Sequence, residues 1–281
     1  MKRCLSWCLA MLALLVLTAC STPTAVADTD DFRWMGTVVA GLSETGEQAE
    51  ELVIPASATE VSLDLTGNTV LRRLSFESDD TVIRNLILED CTALEEVVFP
   101  ASIEEIGNCS GCTSLTQITI PEGVTTISGS AFYGCTSLKT VVMPESVREI
   151  GVYAFSGCSG PESVTLSPNL TQIPDGAFYQ CSSLGEVQVP EGVTSIGSSA
   201  FDECASLSAV SLPESLSVLK DAAFMDCTAL TTITIPANVS EIDHTAFMKR
   251  EGEQVAFYVR EGSWADLNSV KYCLSGDPTT Y

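Results

Sequence analysis

The run Ile120-Pro121-Glu122-Gly123-Val124-Thr125-Thr126-Ile127-Ser128-Gly129-Ser130-Ala131-Phe132-Tyr133-Gly134-Cys135 returns down most of the chain, and the architecture follows from that repetition. Pro121 serves as a mark. Val124 stands three residues on and Ile127 six on; Ala131, Phe132, Cys135, Leu138, Val141 and Met143 follow, and Pro144 is the next mark. Marks continue at Ser167, Pro190, Pro213 and Pro236, each 23 residues after the last. Towards the N-terminus Pro100, Glu77 and Pro55 keep the phase at intervals of 21, 23 and 22 residues, and Arg260 closes the series 24 residues beyond Pro236.

Other positions keep step with the marks. An Ala-Phe pair recurs as Ala131-Phe132, Ala154-Phe155, Ala177-Phe178, Ala200-Phe201, Ala223-Phe224 and Ala246-Phe247. A thiol recurs as Cys91, Cys112, Cys135, Cys158, Cys181, Cys204 and Cys227, with Asn68 in the earliest unit. A fixed period of this length means stacked supersecondary units, none able to bury its apolar side alone. Asn or Cys at one site with Leu or Ile at others is a leucine-rich-repeat pattern.

Each unit reads locally. Leu138-x-x-Val141-x-Met143 ends in two-residue alternation, which predicts a strand with one buried face. Pro144 has no N–H for a ladder and ends that strand. Val147 and Ile150 point inward from a second extended piece. Gly151 to Gly157 holds a short helical turn that inserts Phe155, and Cys158 closes it as a small buried side chain. Stacking then aligns like with like, in columns of Phe, Cys, Ile and Leu. Ten rungs at a strand spacing of about 4.8 Å predict a rod about 45–50 Å long.

Ile120-Pro121-Glu122-Gly123-Val124-Thr125-Thr126-Ile127 and Ser199-Ala200-Phe201-Asp202-Glu203-Cys204 resemble the BspA-type leucine-rich repeats of bacterial surface proteins. The resemblance covers residues 49 to about 265. It implies a leucine-rich-repeat solenoid of parallel β-strands with short helical turns, mainly β with small α content, and a role in adhesion or binding. It carries over no ligand.

The charge bounds the partners. Lys and Arg number 13 and Asp and Glu 37, for a formal net charge of -24. Loss of a leader holding Lys2 and Arg3 leaves it more acidic still. Such a surface repels nucleic acid and anionic headgroups. It suits solubility, or attraction of Ca²⁺ or basic host proteins. No Asp-x-Asp-x-Asp-Gly loop supports a dedicated calcium site.

In chain order, Lys2 and Arg3 precede a mostly apolar run from Leu5 to Leu17, too short to span a bilayer. Leu17-Thr18-Ala19-Cys20 matches the bacterial lipoprotein cleavage pattern, which implies a signal peptide over 1–19 and lipid on Cys20. Several acyl chains there give stable anchoring to the bacterial membrane, with the chain at the cell surface. Residues 20–48 read as tether and N-terminal cap, with Phe32, Trp34, Met35, Val38 and Val39 covering the open end of the stack. Residues 49–265 form the solenoid of about ten rungs, and 266–281 a C-terminal cap or tail. Ile87-Leu88 replaces Ala-Phe in one early rung. The rung after Pro100 is two residues short, and Gly107-Asn108-Cys109-Ser110-Gly111 lacks the large core side chain, which predicts a bend or thin spot. Pro161 stands where Leu is expected.

Chemistry-bearing residues read as structural. Of twelve cysteines, Cys4 and Cys8 lie in the leader and seven occupy the repeat column, which reads as buried, reduced thiols. Cys109-Ser110-Gly111-Cys112 is a single C-x-x-C without the two further ligands zinc needs; Cys109 is unexplained by the column, and Cys273 is a second odd thiol. The only histidine, His244, has Gly129, Val152, Asp175, Ser198 and Asp221 as counterparts, so it reads as a solvated turn residue rather than a general base. Glu122, Glu145, Glu191 and Glu214 follow the marks and read as a solvated edge. No enzyme, metal or cofactor is implied.

What remains is the outward face of the strands. Glu96, Gln117, Thr119, Thr140, Val142, Ser163, Thr165, Glu186, Gln188, Ser211, Thr232 and Thr234 alternate with buried positions and form the candidate binding face. The expectation is a lipid-anchored surface protein holding a host or cell-surface protein or a glycan on that face. The alternative is a structural part of the envelope; a hydrolase stands last.

Overall fold

Alternation at Val141 and Met143 buries one side of a strand and wets the other. In a computed structural model, which describes residues 29–250, 254–268 and 279–280, Thr140–Val142 is that strand, with Val141 buried between exposed Thr140 and Val142. The next repeat places Ser163–Thr165 beside it in parallel, pairing Thr140 with Ser163, Val141 with Val164 and Val142 with Thr165. Glu186–Gln188 and Ala209–Ser211 continue the same register. Glu51–Ile54, Arg73–Phe76, Glu96–Val98 and Gln117–Thr119 form the equivalent parallel sheet in the earlier rungs.

The second extended piece of each repeat builds a second face. Glu105–Ile106, Thr126–Ile127 and Glu149–Ile150 pair in parallel, as do Gln172–Ile173, Ser195–Ile196, Val218–Leu219 and Glu241–Ile242. Prolines at the marks, such as Pro144 and Pro190, separate the two strands of a rung because they end a ladder. The result is a parallel β-solenoid of about ten rungs.

The third side of each rung is a turn, and here the structure refines the expected short helix. Ala131, Tyr133 and Cys135 donate their N–H groups three residues back, as in a tight helical turn. Phe132 and Gly134 instead donate to the Ala154 and Ser156 carbonyls of the next rung. Alternate residues thus close the turn and stack the rungs, and no continuous helix forms. The geometry needs two left-handed residues per rung. One precedes the Ala-Phe pair (Ser130, Tyr153, Gly176, Ser199, Ala222) and one precedes the Cys (Gly134, Gly157, Gln180, Glu203, Asp226). The left-handed conformation costs a residue with a Cβ about 1–2 kcal/mol, so the stacking must outweigh that cost at several sites.

The core supplies the difference. Phe132, Phe155, Phe178, Phe201, Phe224 and Phe247 are buried, with successive ring centroids 5.2–5.5 Å apart and planes 2–14° from parallel. Each such ring contributes about 1.5–3 kcal/mol by burial alone. Beside this column run the thiols. Cys158 Sγ donates to the Phe132 carbonyl at 3.0 Å, Cys204 to Phe178 at 3.1 Å and Cys227 to Phe201 at 3.1 Å. Every column thiol thus binds the carbonyl of the core residue one rung earlier. Asn68 occupies the same site and accepts N–H bonds from Val70 and Leu71, both at 2.8 Å.

That bonding rule resolves Cys109. Cys135 Sγ donates to Cys109 O at 3.2 Å, and Cys112 to Leu88 O at 3.1 Å. Cys109 therefore sits in the phenylalanine column, as Leu88 does, and is fully buried. The two-residue deletion shortens the chain between Ile106 and Cys109, and the smaller side chain leaves less core. A surface hollow of about 220 Å³ lies beside Gly107 and Asn108.

Both ends are covered. Phe32–Met35 runs antiparallel to Val38–Leu42, which in turn pairs with Glu60–Asp64. Phe32 and Val39 are buried, Trp34 lies edge-on to Phe32 at 6.3 Å, and Met35 is exposed. At the other end Ala256–Val259 pairs with Thr232–Ile235 and with Thr279–Thr280. Phe257 meets Phe247 edge-on at 5.2 Å and ends the ring stack. The short helix Trp264–Asn268 lies against Glu241–Ile242. The leader, Cys20 and Cys273 fall outside the described residues.

Candidate binding face

In a parallel ladder, residues of equal register stand above one another, so the outward side chains form two straight columns. One runs Glu51, Arg73, Glu96 and Gln117, then Thr140, Ser163, Glu186 and Ala209, then Thr232 and Ala256. The other holds Val98 and Thr119, then Val142, Thr165, Gln188 and Ser211, then Thr234 and Tyr258. The structure places the twelve candidate residues on these two columns. All are exposed except Glu96, which is half-buried.

The two ends of the face differ electrically. In the early rungs Arg73 pairs with Glu51 at 3.5 Å and Glu96 at 3.1 Å, and Gln117 Nε2 donates to Glu96 at 2.9 Å. That stretch is partly neutralised from within. Glu186 has Ser163 and Ala209 as its register neighbours, and neither can pair with a carboxylate charge. A groove of about 770 Å³ opens over these three strands. Small side chains on either side of Glu186 make the room, and Val164 and Val210 beneath are only half-buried. Pro168, Pro190 and Glu191 form its margin.

A second surface feature was not foreseen. Tyr133, Val152 and Tyr153 are exposed on the turn side, 52%, 50% and 44% respectively. A Cβ added at Gly176 would come within 2.2 Å of the Tyr153 ring, so that ring covers the glycine of the next rung. In the sequence Tyr153 stands one residue ahead of an Ala-Phe pair and Tyr133 one residue after one.

The remaining chemistry is dispersed. His244 is exposed and its Nδ1 lies 3.3 Å from its neighbour Asp243. The Ser198 hydroxyl donates to Asp221, not to an imidazole. Among the described residues no three His, Cys, Asp or Glu side chains converge as metal ligands would. The eight described thiols are free and buried. Burial pushes Cys91 up to about 11 and Cys158 and Cys227 up to about 12, and raises Cys109 well above the ordinary thiol range. A thiol held protonated is a poor nucleophile. Asp202 is buried: Ser199 Oγ donates to its Oδ2 at 3.1 Å, while Oδ1 has no partner, and desolvation raises its pKa.

Comparison with known proteins agrees with this geometry. The solved leucine-rich repeat protein from Bacteroides ovatus is 22% identical, with a TM-score of 0.63, over 85% of this chain and 58% of that one. One from Eubacterium ventriosum is 23% identical, with a TM-score of 0.56, over 73% of this chain and 60% of that one. The chain thus spans about three-fifths of the length of these two, and at such identity the likeness is one of fold. No curated protein matches the sequence. The family model of the BspA type leucine rich repeat region matches in six copies over residues 45–139, 109–228 and 149–258. With the rungs, the phenylalanine column and the match covering most of the chain, the protein belongs to the BspA-type leucine-rich-repeat family.

Proposed function

We propose that the protein is a non-catalytic, lipid-anchored cell-surface binding or adhesion protein, and that the strand face holds its partner, a protein or a glycan. One observation carries the reading: the two outward columns, solvated and in register, open into a groove of about 770 Å³. Stacked solenoids present such extended faces to partners. Membership of a repeat family resembling surface proteins supports it, and so does the pattern around Cys20, which would place the anchor at the start of the tether.

The test is a pull-down of the full chain against host-matrix and cell-envelope extracts. The triple variant Gln117→Ala, Thr140→Ala, Glu186→Ala should lose the captured partner and keep its circular dichroism. Capture of an envelope protein unchanged in that variant would favour a structural role in the envelope. For the anchor, Cys20→Ala should abolish the lipidated, processed form by mass; an unchanged mass would remove the anchor.

A further inference from the structure

The groove also has a chemistry of its own. Its central carboxylate, Glu186, is exposed and stands between Ser163 and Ala209 in the ladder. Elsewhere on this column carboxylates are answered from within, Glu51 and Glu96 by Arg73. Other arginines and lysines are spent similarly: Arg84 on Glu60, Lys220 on Asp175, Arg250 on Asp226. At the groove margin Glu191 adds a second exposed carboxylate without an ion pair among the described residues. The lining contains hydroxyls, an amide and these acids, and no basic side chain. An anion meets no positive charge there. A cation finds a charge already exposed, flanked by Gln188 and the Ser163 hydroxyl as further acceptors.

We propose that this groove takes an extended polypeptide segment through a lysine or arginine side chain paired with Glu186. The inference rests on the strand-face reading and names the partner's chemistry. The shape fits: three strands at about 4.8 Å spacing span about 10 Å, the length of about three extended residues. Charge complementarity fixes register and raises the association rate more than it raises affinity. The small neighbours Ser163 and Ala209 leave space for a long side chain to lie flat beside Glu186.

Calorimetry of the full chain tests it, using the peptide (Ala-Lys)5, the peptide (Ala-Glu)5 and maltohexaose as probes. The lysine peptide should bind, more weakly at high salt, and the acidic peptide should not. Glu186→Gln should weaken binding about tenfold, as loss of a charge-assisted pair does, and Ala209→Trp should weaken it by filling the groove. Glu241→Gln, an equally exposed carboxylate on the other sheet, should leave it unchanged. Circular dichroism keeps folding out of the comparison. Equal losses from Glu186→Gln and Glu241→Gln would mean diffuse attraction and overturn the proposal. Weakening by Ala209→Trp alone would keep the groove and overturn the cation. Binding of maltohexaose without the lysine peptide would do the same in favour of a glycan. Binding of the lysine peptide that neither groove substitution alters would sink the strand-face reading itself.

Discussion

The rings of Phe155 and Phe178 lie 5.5 Å apart and 3° from parallel, each buried between the rung before and the rung after. A ring so placed supports two neighbours at once. Phe178→Ala should therefore cost about 3–5 kcal/mol, as large-to-small core changes do. Urea denaturation measures it, and a wild-type midpoint would show that the column is not close-packed. Phe247, whose outer neighbour Phe257 meets it edge-on, should cost less.

Ala222 has a φ of 53°, in the left-handed region where a Cβ is strained. Ala→Gly inside regular structure normally destabilises by about 0.5–1 kcal/mol. At this position the relief of about 1–2 kcal/mol exceeds that entropic cost. Ala222→Gly should hold or raise the melting temperature, and Gly134→Ala, at φ 71°, should lower it. A fall in the first variant would contradict the turn geometry.

The buried thiols make stability sensitive to alkali. Their folded pKa values are raised by burial, as at Cys158 and Cys227, so the native state keeps protons that the unfolded chain releases. A group of that kind stabilises fully below its unfolded pKa and loses its contribution as pH rises towards the folded one. Unfolding free energy should fall between about pH 9 and pH 12, more steeply than in a variant with Cys158→Ala and Cys181→Ala. At pH 8 the column thiols should react with a thiol reagent only after denaturation. Rapid labelling of the folded chain would show the column open to water.

Asp202 supplies the opposite test of burial. Its Oδ1 is buried without a partner, and desolvation raises its pKa. Its stabilising, protonated form is present below the unfolded value and is lost as pH rises through the folded one. Asp202→Asn keeps an oxygen for Ser199 and removes the charge. The variant should match wild type near pH 3 and melt higher at pH 7. A constant difference across that range would mean that the carboxylate is not desolvated.

The columns were legible in sequence because Phe, Cys and Leu recur where only burial explains them. Pro144 and its counterparts told where strands end. Cys109 was not legible: two missing residues shift it out of phase, and only the carbonyl bonds of neighbouring thiols place it beneath Phe132. The left-handed sites hid because Gly, Ser, Tyr, Ala, Gln, Glu and Asp all occupy them, leaving no residue signature. The groove hid for another reason. It arises from Ser163 and Ala209 lying 46 residues apart in sequence yet two strands apart in space. The outward side of the strands is legible in the sequence, since period-two alternation fixes which side chains point out.

The short rung at Cys109 gives the rod a weak joint. Stability in a stacked array is a sum of units and of contacts between nearest neighbours, and the junction from Cys109 to Phe132 lacks the ring that every later junction has. Pulled along its axis, the molecule should part there first. The segment from Phe132 to Phe257 would then move as one stiff beam, while the rungs before it act as the hinge that absorbs strain.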